Sequence, residues 1–260
     1  MVAPVNDCTK ATLVISSVLG GIRGAVVQAL LSPLEVVKIR QQCSDVPEKS
    51  LTIARKILQE EGWSAFYKGI EAKLANTVIK QFCVWPIIRG GPFFLERHGI
   101  KGLRQEVLTG LAIAVIDASL SSPFDKARII SAHTGKNQFS IKSFHKKGWQ
   151  GFPTQLAKLS VHWVVFLVAQ KSLRDRYRNG RTQKLNFPQL LFIGTQVAVI
   201  TSLVSAPFDI ANTRKQAQNR NPSHLLSGNI LRNAFRGAPI SLTSNLVHYI
   251  ASLILIEHLK

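Results

Sequence analysis

Three stretches decide the fold: SPLEVVKIR (32–40), SPFDKARII (122–130) and APFDIANTR (206–214), which align without gaps. Their prolines, Pro33, Pro123 and Pro207, are 90 and 84 residues apart. Nine residues before each stands a small residue (Gly24, Ala114, Ala198), and four before that a glycine (Gly20, Gly110, Gly194). A second trio follows each proline: YKGIEAKLAN (67–76), WQGFPTQLAK (149–158) and FRGAPISLTS (235–244). Both halves recur three times at related offsets, the signature of an internal repeat.

Around these motifs lie six apolar stretches, at 11–32, 72–95, 106–122, 152–173, 187–206 and 239–257. Each is close to the ~20 residues that a membrane-spanning helix needs. The third is short before Pro123 and spans only if it continues past it. The small-xxx-small pairs let helix backbones approach closely in lipid. A soluble helical protein would need polar faces much richer in Glu and Lys than these. Mean hydropathy is only +0.12, low for helices wholly surrounded by lipid. It suits helices that show lipid one face and water the other.

The chain carries 33 Lys+Arg against 14 Asp+Glu, a net +19. A nucleic-acid binder gathers such charge into one patch or stripe. Here the basic residues recur between apolar segments, so nucleic acid is not the expected partner. Three cysteines, Cys8, Cys43 and Cys83, form no CxxC pair and no even set, so neither zinc nor a disulfide framework is indicated. No GxSxG, Walker loop or HExxH motif occurs, and the seven His are scattered. The expectation is therefore a protein that is not an enzyme and has no metal and no cofactor. The start of the chain, MVAPVNDCTK, is too short and polar for a signal peptide. Any targeting information is expected inside the chain.

The chain resembles the mitochondrial carrier family over nearly its whole length. The family motif, Pro-x-acid-x-x-base, is complete in Pro33, Glu35 and Lys38 and in Pro123, Asp125 and Arg128. In the third repeat Pro207 and Asp209 are followed by Asn212 where a base belongs. The second motif, acid-Gly with aromatic-base-Gly, is complete in Glu61-Gly62 and Tyr67-Lys68-Gly69 and eroded in the other repeats. From proline to aromatic residue the links shorten from 34 residues to 26 and 28, so the short matrix-side helices of repeats 2 and 3 are expected to be trimmed.

The resemblance implies an all-α membrane protein: six transmembrane helices in three pseudo-symmetric two-helix repeats (about 10–101, 102–184 and 185–260), with short matrix-side helices. Acid and base sit three apart, on one helix face, so three convergent helices place them in a ring. By resemblance this ring is a gate in which Glu35 pairs with Arg128, Asp209 pairs with Lys38, and Asp125 faces Asn212 through a hydrogen bond. At the opposite end the family has aromatic-acid-x-x-base; only Ile256-Glu257 with Lys260 approximates it, which predicts a weak outer gate.

Counting from Gly69, Gly151 and Gly237, offset +7 gives Asn76, Lys158 and Ser244, offset +8 gives Thr77, Leu159 and Asn245, and offset +11 gives Lys80, His162 and His248. Offsets +7 and +11 share a helix face. Polar residues there are costly against lipid and are expected to face a central path. The expected substrate-binding set is Asn76, Lys80, Lys158, His162, Ser244, Asn245 and His248, with Arg23. Asp117 is the one acid expected nearby, and it lies on a stripe where it could neutralise Arg23. Net positive charge concentrates anions.

The expected function is therefore exchange of a small anionic metabolite (a carboxylate, phosphate or nucleotide) across the mitochondrial inner membrane by alternating access. The protein would be a multi-pass monomer, with lipid, and cardiolipin at the matrix-side helix ends, as its other partner. Lys158-Leu159 matches neither the nucleotide-carrier nor the oxo-acid-carrier pattern at this point, so the cargo stays open. So does a second function: a degenerate homologue without transport that acts as a membrane scaffold or insertion factor, suggested by Asn212 and the eroded outer motif. Basic residues are shared almost evenly between the two sets of loops, so charge does not set the orientation.

Overall fold

A computed structural model describes residues 10–44, 48–136, 149, 151–178, 186–218, 235 and 237–258. The described chain is helical, with no strand among these residues. Six helices are long: α1 (Lys10–Cys43), α3 (Ile70–Arg97), α4 (Leu103–Thr134), α5 (Phe152–Arg178), α6 (Phe187–Gln218) and α7 (Ala238–His258). Between α1 and α3 lie the amphipathic α2 (Ser50–Glu61) and a 3-10 turn, Trp63–Tyr67. The segments in which the later repeats are expected to carry trimmed counterparts of α2, 137–148 and 219–234, lie outside the described residues. So do Cys8, Gly148, Gln150, Arg236 and Lys260, and the side chains of Gly20, Ile256 and Glu257.

The apolar stretches at 11–32, 106–122 and 187–206 stop at or just before their prolines, but the helices do not. α1, α4 and α6 carry Pro33, Pro123 and Pro207 inside them and continue to Cys43, Thr134 and Gln218. A proline removes one backbone donor and crowds one preceding carbonyl. The rest of the ladder re-forms beyond it. The motif acids and bases thus sit on continuous helix rather than at its frayed end. Three described helices are long and apolar enough to cross a membrane: Leu103–Thr134, Phe152–Arg178 and Phe187–Ala217.

Each long helix packs against the next in chain order, and α7 packs against α1, so the six close into a ring. Polarity runs inside out. Ile22, Val26 and Leu30, one stripe of α1, are exposed, as are Leu111, Val115, Ile200 and Leu203. Gln28, Asn76, Thr77, Asp117, Thr201, Ser202 and Asn212 are buried. Contiguous apolar surface outside and polar groups inside is the arrangement that lipid favours. At the end carrying the proline motifs, Val36, Ile39, Cys43, Ile53, Ile57, Phe66, Ile129 and Ile240 form an apolar plug between α1, α2, α4 and α7.

The small residues serve close approach. A Cβ at Gly110 would sit 3.0 Å from the backbone of Val164 on α5, and one at Gly194 would fall inside the ring of buried Tyr249 on α7. Gly194→Ala is expected to lower stability by ~1–3 kcal/mol through overpacking, read as a fall in the apparent Tm of the purified protein. Tyr249→Ala in the same chain should recover part of that loss. A Gly194→Ala protein with unchanged Tm would show that α6 and α7 do not meet this closely.

Candidate functional site

The site begins at three turns. Gly69, Gly151 and Gly237 all have left-handed backbone, with φ of 84°, 92° and 77°, which favours glycine because it has no Cβ. Each also presses on the proline-bearing helix of another repeat. A Cβ at Gly69 would lie 3.0 Å from the Arg128 carbonyl on α4, one at Gly151 3.0 Å from Gln216 on α6, and one at Gly237 3.0 Å from Lys38 on α1. The even helices α3, α5 and α7 therefore start beside the acid-base positions of α4, α6 and α1.

At those positions charged groups meet across helices. Arg128 on α4 pairs with Glu35 on α1 at 2.7 Å and lies 3.9 Å from Asp125 on its own helix. Lys38 on α1 pairs with Asp209 on α6. Asp209 also receives Lys158 Nζ from α5 at 2.8 Å and the Gln42 amide at 3.2 Å. One carboxylate thus joins three helices, and a lysine expected on the substrate path is tied to the ring.

The third expected contact needs correction. Asp125 and Asn212 do not bond directly; Gln155 stands between them. Its amide nitrogen donates to Asp125 Oδ2 at 2.6 Å, and its carbonyl oxygen accepts from Asn212 Nδ2 at 2.5 Å. Asn212 Oδ1 accepts from Thr154 at 3.1 Å, and Gln216 donates to Gln155 at 3.3 Å. The reason is reach. Asparagine is too short to cross from α6 to α4, and a neutral amide can serve an acceptor and a donor at once.

Along the path the expected residues divide. Lys80 pairs at 2.8 Å with Asp117, whose carboxylate also accepts from Ser121 at 2.5 Å and Trp163 Nε1 at 3.0 Å. Asp117 thus neutralises Lys80, not Arg23, and is itself fully buried. Arg23 donates instead to the carbonyl of His248 at 3.2 Å, and the His248 ring meets the Gln28 amide at 3.0 Å. Asn245 donates to Ser202 at 2.8 Å, joining α7 to α6. His162 is half-buried and edge-on to Trp163. Asn76 is buried, with its side-chain oxygen lacking a partner among the described residues, and Ser244 is half-buried. Of the eight, Lys158 is paired with Asp209, Lys80 with Asp117, and Arg23 with the His248 carbonyl. His162 has both lysines and both carboxylates as charged neighbours, and His248 has Arg23 and Lys80.

Below the ring, Arg40 of α1 forms two hydrogen bonds with Glu61 of α2, one of them at 3.0 Å, and donates to the Ala132 carbonyl at 2.9 Å. Lys68 adds a bond to Glu61 at 3.1 Å. The Arg40 hydrogen bonds, helped by Lys68, hold the Glu61 carboxyl down at about 2. Sequence reasoning missed Gln155, Gln42 and this clasp. A signal existed for part of it: Gln42 and Gln216 both stand nine residues after their prolines, where the middle repeat has Ala132. At the other end Lys171 pairs with Glu106 at 3.1 Å, between neighbouring helices.

Comparison with known proteins gives these contacts a context. The family model described as mitochondrial carrier protein matches residues 9–89, the first repeat. The mitochondrial 2-oxodicarboxylate carrier of Homo sapiens is 25% identical over 229 residues, covering 80% of this chain and 76% of that protein. A mitochondrial arginine transporter of Arabidopsis thaliana is 26% identical over 202 residues, 71% of this chain and 67% of its own. A mitochondrial glycine transporter of Saccharomyces cerevisiae is 30% identical over 131 residues, 47% of this chain and 42% of its own. With its proline motif repeated in three helices, the chain is thus similar to a mitochondrial carrier over 80% of its length, and its first repeat matches the mitochondrial carrier family model.

Proposed function

We propose that this carrier exchanges a small anionic solute (a carboxylate, phosphate or nucleotide) across the mitochondrial inner membrane by alternating access. In this reading it is a monomer whose six long helices all span, as three two-helix repeats at about 10–101, 102–184 and 185–260. The observation that carries it is the joining of acids and bases from different proline-bearing helices at one end of the ring of helices, Glu35 with Arg128 and Asp209 with Lys38. Such pairs gain Coulomb energy but repay much of it in desolvation. A ring of them can therefore open and close at small net cost.

Around the path stand Arg23, Lys38, Lys73, Lys80, Arg128 and Lys158 against Glu35, Asp117, Asp125 and Asp209. The surplus is positive and draws anions into a water-filled cavity. The names of the relatives, which cover a 2-oxodicarboxylate, arginine and glycine, support transport of a small polar metabolite. A second reading, a homologue that has given up transport and serves as a membrane scaffold, is favoured by the Asp125–Gln155–Asn212 bridge, in which amides stand where a base would pair with the acid.

Reconstitution separates the two. Liposomes holding the protein and loaded with unlabelled 2-oxoglutarate, phosphate or ATP should take up the labelled counterpart of one of them, in a protein-dependent and saturable way. A folded protein that exchanges none of these would leave the scaffold reading standing and sink the transport one.

A further inference from the structure

Four residues after Gly69, Gly151 and Gly237 stand Lys73, Gln155 and Ser241. The turn geometry is shared, so these three places are equivalent in the repeats, about one turn nearer the ring than the +7 positions and about two turns nearer than the +11 positions. Gln155 shows what this place does. It reaches between the proline-bearing helices on either side and binds the acid of one and the polar residue of the other. In the first repeat that work is already done, because Glu35 and Arg128 pair directly at 2.7 Å. Lys73 is left over.

Lys73 lines a cavity together with Gln28, Ser32, Glu35, Lys68 and Arg128. Of its three cations, Arg128 is held by Glu35 and Lys68 by Glu61. The Ser32 hydroxyl is committed to the Phe66 carbonyl at 2.9 Å, and the Gln28 amide to His248 at 3.0 Å. Among the described residues no carboxylate lies within ion-pair distance of the Lys73 ammonium, although Glu35, Asp125, Arg128 and Lys80 are its charged neighbours. Lys80 and Lys158, the lysines that the offsets select, are each tied to a buried carboxylate. An anion arriving at either must first displace an intramolecular acid. At Lys73 there is no such paired acid among the described residues to displace.

We propose that Lys73 is the anion-binding residue of this carrier and takes a single carboxylate group of the solute beside the Glu35–Arg128 pair. One uncompensated cation matches one negative charge, which selects a carboxylate head over a phosphate dianion. The proposal rests on the transport reading for its purpose, but not for its test.

The purified full-length protein is titrated with glutarate and, separately, with inorganic phosphate while its thermal unfolding is followed. A ligand that binds the folded state raises the Tm in proportion to its occupancy. Glutarate should give a saturable rise, and Lys73→Gln should weaken its half-saturation by about tenfold or more, as loss of one charge-assisted contact implies. Lys73→Arg, which keeps the charge, should hold it within a few-fold and guards against a Gln variant that fails to fold. Phosphate should have little effect.

Three results overturn the proposal: no rise with glutarate in the unsubstituted protein, an unchanged half-saturation in Lys73→Gln, or a Lys73-dependent response to phosphate alone. The liposome assay reads the transport reading separately. Inert liposomes with Lys73-dependent glutarate binding would sink transport and spare the site. Exchange that is indifferent to Lys73→Gln would do the reverse.

Discussion

Replacing Asp209 with Asn is expected to lower the apparent Tm by roughly 6–12 °C, the largest effect of any single substitution in the ring. The carboxylate holds Lys38 and Lys158 and accepts from Gln42, and the residue is only 7% exposed. Removing one partner of a buried pair strands the other's charge, at a cost of about 3–5 kcal/mol. Here two ammonium groups are stranded, but both lysines reach some solvent, which keeps the estimate near the lower end, about 3 kcal/mol. For a chain of this size that corresponds to the stated fall.

The asparagine is isosteric, so the loss is electrostatic rather than steric, and the double variant shows it. Lys158→Met added to Asp209→Asn removes one stranded charge and should regain part of the Tm, whereas Lys158→Met alone should lower it. Such non-additivity measures the coupling directly. Additive losses would mean that Lys158 and Asp209 do not meet in the folded protein. In liposomes Asp209→Asn should also abolish strict exchange, because the end that α1, α5 and α6 close together loses its common anchor.

Restoring the missing base, Asn212→Lys, should destabilise rather than strengthen the ring, by about 2–3 kcal/mol. In a ring where Asp125 met position 212 directly, the new ammonium would complete a third ion pair. Gln155 fills that space, however, and Asn212 is fully buried with both ends of its amide engaged. The lysine would lose those hydrogen bonds and enter a site whose acid is already occupied. Gln155→Ala opens the way.

The pair Asn212→Lys with Gln155→Ala should therefore recover about 1–2 kcal/mol over the sum of its parts, as the ammonium reaches Asp125. Adding Asp125→Asn should cancel that recovery. Thermal unfolding of the single, double and triple variants checks the cycle. If Asn212→Lys alone raises the Tm, the amide bridge is not what holds α4 to α6.

The repeat, the helical class and the paired acids and bases were legible in the sequence because all of them are local or periodic properties. Pro33, Pro123 and Pro207 recur at related spacing, and Glu35 with Lys38 or Asp125 with Arg128 share a helix face whatever surrounds them. Helix ends were not legible past the prolines. A proline signals local disruption, and only packing against neighbouring helices decides that α1, α4 and α6 run on to Cys43, Thr134 and Gln218.

Two ring pairs, Glu35 with Arg128 and Asp209 with Lys38, were anticipated through the family resemblance, but the other partners were decided by tertiary structure alone. Asp117 took Lys80 rather than Arg23, and Lys158 turned to Asp209. Lys73 and Gln155, identical in repeat offset, were given opposite tasks. Side-chain reach between helices sets these choices within an ångström or two, a distance that depends on how closely glycines such as Gly69, Gly110 and Gly194 let the backbones approach. Periodicity names the face on which a residue lies. It carries no information about the distance to the residue across from it.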